Sequence, residues 1–182
     1  MMAIWKNKSV YILSLFFVAV FAQKVQTKNG TAKLEASVPS FEEVKALTNT
    51  ASCVLNLENG EIASLILIKS FRFKIALMEE HFNENYMESH LFPKAIFRGK
   101  VDAWDKTKLT AKPTKFLLKG KMEMHGKSKE IDIEVMISVI NGKYTLTSDF
   151  ELNTDDFGIV IPKIVSNKVS KKVLINLDFK LE

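Results

Sequence analysis

Cysteine is almost absent from this sequence, since Cys53 is the only one among 182 residues. A single cysteine excludes an intrachain disulfide, so the fold must be held by its apolar core. A chain of this length can bury such a core within one domain. Cys53 lies in the apolar context Ser52-Cys53-Val54-Leu55. We therefore interpret it as a small core residue and not as a catalytic thiol.

Glycine and proline are also scarce, with 7 and 4 residues. The glycines form no phosphate-binding loop, and the chain contains neither a G-x-S-x-G nor an H-E-x-x-H motif. Ser89 and His90 are neighbours in the sequence, but adjacency is not the geometry of a catalytic triad. We expect that the protein is not an enzyme.

Clusters of one charge are missing as well, although the formal net charge is +5 and the pI is near 9.2. Lysines such as Lys119 and Lys121 alternate along the chain with acids such as Glu123. This spacing is typical of a solvated sheet face and not of a basic stripe for nucleic acid. We expect no nucleic-acid partner.

Only the amino terminus has an extended apolar run. Lys6 and Lys8 precede the apolar residues 10–22, and Val20-Phe21-Ala22 ends that run with small residues at the spacing of a cleavage site. We expect residues 1–22 to be a secretory signal peptide and the mature protein to begin near Gln23, periplasmic or secreted, without an integral membrane span. The alternative is an uncleaved anchor, for which the run is short.

Alternation of apolar and polar residues dominates the rest of the chain and predicts antiparallel strands. Ser40 and Glu43 have the spacing of a capping box, so a short helix is expected over 40–47. Glu58-Asn59-Gly60 and Asn141-Gly142 predict tight hairpin turns. The predicted strands are 34–38, one through Val54-Leu55, 71–77, 95–103, 116–124, 131–139, 144–152 and 173–181.

Eight amphipathic strands must bring their apolar faces together. Closing the sheet into a barrel does so and also removes exposed strand edges. The sequence thus predicts an all-β, antiparallel eight-stranded barrel with a short helix or lid segment. Such a barrel is either filled by its own side chains or holds one small ligand, and the pattern alone leaves both possibilities open.

The segment Met78–Gly99 interrupts the alternation with charged, amide and aromatic residues. It is longer than a hairpin requires, and connections of that length are usually lids or binding loops. Phe82 and Tyr86 share one helical face, and Glu84 and Glu88 share another. We expect a lid over one barrel end, with the aromatic residues underneath and the carboxylates in solvent.

Three histidines, His81, His90 and His125, make a metal site an open alternative, with Glu79, Glu84 or Glu88 as a fourth ligand. No recognised metal-binding spacing supports this alternative. His125-Gly126 is expected to close a hairpin, and Asp155-Asp156-Phe157-Gly158 is expected to be a turn and not a calcium loop. We therefore expect no metal ligands.

Three landmarks carry a family resemblance. They are F-P-K-A-x-F-x-G over 92–99, a strand ending in M-H-G followed by a second long strand over 124–139, and F-x-L-N-x-x-D-F-G-I over 150–159. Jointly they are specific, and the chain resembles the YceI-like family of exported, lipocalin-like barrels from about residue 60 to the end. The resemblance implies that residues 23–182 form one such domain.

The resemblance further implies an apolar channel for a polyisoprenoid, such as an isoprenoid quinone or another prenyl lipid, and no other cofactor. Asn83, Asn85 and Tyr86 are candidates for contacting its head group. A structural or stress-response module with a filled core is the alternative, and a homodimer is left open. The expected ligand-binding residues are Phe71, Phe73, Ile75, Phe82, Asn83, Asn85, Tyr86, Phe92, Phe97, Phe116, Leu118, Ile133, Val135 and Phe150.

Cleavage of the amino-terminal segment is directly testable. The mature protein should begin at or within a few residues of Gln23, because the apolar run ends in a cleavage site at Ala22. Amino-terminal sequencing of the exported protein checks this expectation. Recovery of the full-length chain in the membrane fraction would instead indicate an anchor.

Overall fold

The structure is a computed structural model that describes residues 24–182. The expected signal peptide over residues 1–22 and the expected mature start at Gln23 lie outside the described residues. Within 24–182, the helices are all too short or too polar to cross a bilayer.

Eight long strands form a closed antiparallel barrel. Around the barrel the order is β1-β9-β8-β7-β6-β5-β3-β2, and β1 pairs with β2 to complete the ring. The short strand β4 adds to the edge of β2. The strands are β1 (Lys24–Ser37), β2 (Lys45–Asn56), β3 (Glu61–Leu67), β4 (Arg72–Phe73), β5 (Lys94–Val101), β6 (Thr114–Met124), β7 (Lys127–Ile140), β8 (Lys143–Asn153) and β9 (Val169–Leu181).

The two ends of the barrel are built differently. At one end, which we call the base, lie the tight turns 57–60 and 141–142 and the connection 102–113. At the other end, which we call the mouth, lie the loop 38–44, the long connection 68–93, the tight turn 125–126 and the segment 154–168. The mouth therefore carries most of the irregular chain.

The base is filled by large apolar side chains. Trp104 closes it from below, because its indole Nε1 donates to the Leu57 carbonyl oxygen at 3.0 Å and its ring packs 5.7 Å from that of Phe116. Close packing of this kind leaves no room for a ligand. The buried residues of the base are Leu55, Leu57, Val101, Phe116, Ile137 and Leu181.

The predicted fold class is confirmed: residues 24–182 form a closed eight-stranded antiparallel barrel with one short α-helix. The predicted turns are also present. Asn141 and Gly142 have φ of 50° and 75°, and His125 and Gly126 have φ of 51° and 70°. These left-handed pairs are the backbone conformation of a two-residue hairpin turn.

The prediction for the amino-terminal part is wrong in two respects. Strand β1 has 14 residues and begins at Lys24, well before Leu34. Residues 40–47 form no helix, since Ser40 has φ of 72° and β2 begins at Lys45. The hydroxyl of Ser37, and not that of Ser40, accepts from the Val44 amide at 3.0 Å. This bond closes a loop between two paired strands in place of a capped helix.

The predicted strand 71–77 is likewise wrong. Only Arg72 and Phe73 pair with β2, and helix α1 (Ala76–His81) follows. The Glu79 carboxylate accepts from the Phe73 amide at 3.1 Å and from the Arg72 guanidinium at 2.9 Å. The Phe73 amide is therefore bonded to a side chain of the helix and does not extend the ladder between β4 and β2. The barrel strand at this place is β3 (Glu61–Leu67), whose apolar run the alternation did not reveal.

The contrast between base and mouth predicts unequal costs for two substitutions on β7. Ile137→Ala in the filled base should lower the free energy of unfolding by about 2–5 kcal/mol, because it leaves a cavity among packed neighbours. Ile133→Ala should lower the free energy of unfolding by clearly less, because Ile133 faces the open cavity. Urea denaturation of both variants measures the difference. Equal losses would mean that the barrel is packed along its whole length.

Candidate functional site

A cavity of about 480 Å³ occupies the mouth half of the barrel. This volume lies in the range of about 300–1,000 Å³ that is typical of small-molecule sites. Apolar side chains from the strands provide most of its wall, and the central segment covers part of its top. Large lining residues include Leu34, Ile62, Phe97, Leu118, Met122, Ile133, Leu146, Phe150, Ile175 and Phe179.

Small inward-facing residues create this space. An eight-stranded barrel has room for the side chains of its interior and little more. In the mouth half, several inward positions carry short side chains where the base carries leucine, isoleucine or phenylalanine. The small lining residues include Ala32, Ala36, Cys53, Ser64 and Ser148.

The deep part of the cavity carries no ionised group among the described residues. Burial raises the pKa of the Cys53 thiol to about 12, so this thiol is neutral at physiological pH and a weak nucleophile. Glu42, His81 and Lys168 also line the cavity, but all three are exposed at its open end. The arrangement suits an apolar guest whose polar end stays near solvent.

The central segment folds over the mouth as a lid. Helix α1 continues into a π-helical turn over Phe82–Tyr86. The ring of Phe82 packs 5.8 Å from that of Phe71 and 5.1 Å from that of Phe73, and all three rings line the cavity. Tyr86 lines it as well. The placement of Phe82 and Tyr86 under the lid agrees with the sequence-based expectation.

A second apolar cluster anchors the far side of this lid. Met87 of the lid packs with Ile68, Phe157 and Ile159, which are all buried. The 3-10 turn Thr154–Phe157 supplies this contact, and Gly158 ends the turn with φ of 67°. This cluster of Met87, Ile68, Phe157 and Ile159 is separate from the main barrel core. The lid therefore has one firmly packed side, where Met87 meets the turn Thr154–Phe157.

His125 ties the lid to the β6–β7 hairpin. Its Nδ1 lies 3.0 Å from the Phe157 carbonyl oxygen, and its Nε2 lies 3.0 Å from Oε2 of Glu88. A carbonyl oxygen only accepts, so Nδ1 donates to Phe157, and the Glu88 carboxylate accepts from Nε2 when that nitrogen carries a hydrogen. Phe92 packs edge-on against the imidazole at 4.8 Å. One side chain thus links three segments of the mouth.

Nine of the fourteen expected ligand-binding residues line the cavity. They are Phe71, Phe73, Phe82, Tyr86, Phe97, Leu118, Ile133, Val135 and Phe150. Whether they bind a ligand remains a prediction.

The other five expected residues lie away from the cavity wall. Phe116 belongs to the filled base, and Phe92 packs on His125. Ile75 lies at the amino-terminal cap of α1, and the Asn83 amide donates to the Glu79 carbonyl oxygen at 2.9 Å. Asn85 is exposed on the lid. Periodicity predicts which side chains face the barrel interior, but it does not show which of them lie at the level of the cavity along the barrel axis.

Sequence reasoning missed the parts of the site that come from irregular chain. Phe41 of the loop 38–44 lines the mouth, as do Val165 and Lys168 of the segment 154–168. No periodic signal identifies these residues. The small residues of β1 were identifiable, because Ala32, Leu34 and Ala36 alternate with polar neighbours.

The three histidines do not come together. His81 lines the mouth, His125 holds the lid, and His90 is exposed. Among residues 24–182, no group of three or more histidine, cysteine, aspartate or glutamate side chains is arranged to hold a metal ion.

Comparison with known proteins yields one family and several solved structures. The family model of the YceI-like domain matches residues 20–181. A comparison with curated protein sequences found no significant match.

The similar solved structures share the fold at low sequence identity. A polyisoprenoid binding domain from Saccharophagus degradans, implicated in plant cell wall breakdown, has a TM-score of 0.74 at 14% identity, covering 87% of this chain and 97% of its own. BcnA of Burkholderia cenocepacia has a TM-score of 0.69 at 12% identity, covering 84% and 96%. The YCEI protein of Campylobacter jejuni has a TM-score of 0.55 at 14% identity, covering 100% and 93%.

The His125 contacts predict that this residue holds the lid closed. His125→Asn tolerates the left-handed backbone of position 125 but is too short to reach both acceptors. It should lower hydrogen-exchange protection of the Met87 and Ser89 amides, which bond within the lid, by about tenfold or more. His90→Ala on the exposed lid surface is the control. Unchanged protection in His125→Asn would show that the apolar cluster alone fixes the lid.

Proposed function

This chain belongs to the YceI-like family, and from that premise we propose that it is an exported carrier that binds a long apolar molecule, a prenyl lipid such as an isoprenoid quinone, without transforming it. The observation that carries the proposal is the apolar cavity of about 480 Å³ at the mouth of the barrel. The polyisoprenoid-binding description of the Saccharophagus degradans domain favours the same class of ligand.

The wall of the cavity favours a branched hydrocarbon chain. Burial of apolar surface gains about 25 cal/mol per Å², so a prenyl tail binds through contact area and needs few polar partners. The wall mixes aromatic rings such as Phe97 and Phe150 with flexible side chains such as Met122, and methionine adapts to irregular shapes. A carboxylate or phosphate would find no cationic partner in the deep part of the cavity and would remain at the mouth.

A polar head group belongs at the mouth beneath the anchored side of the lid, where the cavity wall carries polar atoms. Tyr86 lines this region, and the Thr154 hydroxyl is buried at the cavity wall without a hydrogen-bond partner among the described residues. A buried hydroxyl favours a ligand that supplies a polar atom there. Asn83 and Asn85, the other head-group candidates, are not on the wall. The head-group contacts are therefore assigned to Tyr86 and Thr154.

The lid gives the sharpest test of this proposal. Phe82→Ala combined with Tyr86→Ala should weaken binding of a prenyl alcohol such as geranylgeraniol by about tenfold or more, because two rings that cover the tail are removed. Native mass spectrometry measures retained ligand, and circular dichroism checks that the barrel stays folded.

Two matched variants accompany this test. Leu91→Ala removes an exposed apolar lid residue that does not line the cavity, and His81→Ala with His90→Ala removes the histidines of the lid. Both should retain the ligand nearly as the parent chain does. A mass without ligand for folded protein purified from its own host would contradict the carrier proposal. Loss of a metal or of a measurable activity in the histidine variant would favour the metal-site alternative.

A further inference from the structure

Two apolar side chains project into solvent beside the mouth. Ile164 is 85% exposed on the 3-10 turn Lys163–Val165, and Phe41 is 44% exposed on the loop 38–44. Pairing of Ser37 with Val169 brings these two segments together. Phe41 and Val165 both line the cavity, so Phe41 lies at the opening itself and Ile164 is next in sequence to a residue that lines it. Exposed apolar groups at a cavity mouth mark an interaction surface.

Positive charge surrounds Ile164. The stretch 160–172, which we call the docking segment, contains Lys163, Lys168, Lys171 and Lys172 and no acidic residue. Lys171 pairs with Asp155, and Lys172 pairs with Glu151. Lys163 and Lys168 are exposed and make no ion pair with any residue of the described chain. Two free cations therefore flank the most exposed apolar side chain of the mouth.

The neighbouring loop 38–44 does not cancel this charge. Glu43 is paired with Lys45 at 2.9 Å, and this contact lowers the pKa of the Glu43 carboxyl. Lys74 also lies near Glu43 and is exposed. Glu42 is the acid that remains unpaired on the cavity lining within 24–182. The net field at the opening is positive on the side of the docking segment.

We propose that the mouth of the barrel docks on an anionic phospholipid surface through the docking segment and Phe41. Ile164 and Phe41 enter the boundary between head groups and acyl chains, while Lys163 and Lys168 contact lipid phosphates. Apolar tips flanked by lysine are the composition of peripheral membrane-binding elements, and each lysine near an anionic surface adds to the attraction. Charge complementarity thus identifies the occupant of this surface.

Docking in this orientation places the opening of the cavity against the bilayer. An apolar molecule then passes between membrane and barrel without entering water, where exposure of its apolar surface is unfavourable. Transfer of a ligand between bilayer and barrel rests on the proposed function, whereas docking on the bilayer does not. The two are tested separately, because the vesicles below contain no prenyl lipid.

Vesicle sedimentation tests the charge requirement. The protein is purified as its own host processes it, and is mixed with vesicles of phosphatidylcholine alone or with about 30% phosphatidylglycerol. It should bind the anionic vesicles. Lys163→Glu with Lys168→Glu should reduce that binding by about tenfold or more, while Lys106→Glu with Lys108→Glu, the same charge change in a short 3-10 turn at the base, should leave it nearly unchanged.

A second pair of variants tests whether docking requires the exposed apolar side chain of Ile164. Ile164→Ser should weaken binding to anionic vesicles several-fold, whereas Ile140→Ser should not, although Ile140 is 58% exposed beside the base hairpin. Ile164→Trp should show a blue shift of its emission on anionic vesicles, because the indole enters the interface. Circular dichroism of every variant confirms that the barrel is folded.

Three outcomes would overturn docking. The first is the absence of binding to anionic vesicles. The second is an equal loss in the mouth and base charge variants, which would indicate diffuse attraction by the net positive chain. The third is a dimer in analytical ultracentrifugation that dissociates in Ile164→Ser, since a second copy would then cover this surface.

Discussion

The width of an eight-stranded barrel is fixed by its strand number and tilt, so the sizes of the inward side chains decide where it is solid and where it is hollow. In this chain the size of the inward side chains changes along the barrel axis. Leucine, isoleucine and phenylalanine fill the base, and Trp104 closes it through its bond to Leu57. Alanine, cysteine and serine at inward positions of β1, β2, β3 and β8 leave the mouth half open. The packed core and the proposed binding site thereby lie in different halves of the same strands.

The lid follows from the same constraint. An open apolar end would expose the cavity wall to water, and the connection between β3 and β5 covers it with Phe82 and Tyr86. The lid is held by the cluster of Met87 with Phe157 and by the His125 contacts. These attachments lie on one side of the mouth. The loop 38–44 and the docking segment lie at the mouth outside the lid and carry the exposed apolar and basic residues.

The sequence predicted the architecture better than the site. Alternation identified the strands β5 to β9 because each has one polar and one apolar face, and glycine-containing turns identified the pairing of β6 with β7 and of β7 with β8. It failed at β3, whose run of Ile62, Leu65 and Ile66 lacks polar alternation, and at 71–77, where a tertiary bond from Glu79 ends the ladder. The height of Phe116 in the base and the pairing of Phe92 with His125 depend on strand register and turn contacts, which no local pattern encodes.

The proposed carrier function requires a barrel that exchanges its ligand without unfolding, and the separation of a filled base from an open mouth meets this requirement. The closing pair β1–β2 extends from Lys24–Asn56 at the base to Glu35–Lys45 at the mouth, so the ring is closed along its whole length. The lid, in contrast, adds little to the strand ladder, since only Arg72 and Phe73 pair with β2. Regions with few ladder bonds open at lower free-energy cost than the strands beneath them. Because the weakly attached element is the one that covers the cavity, the lid can move while the ladder that defines the barrel stays intact.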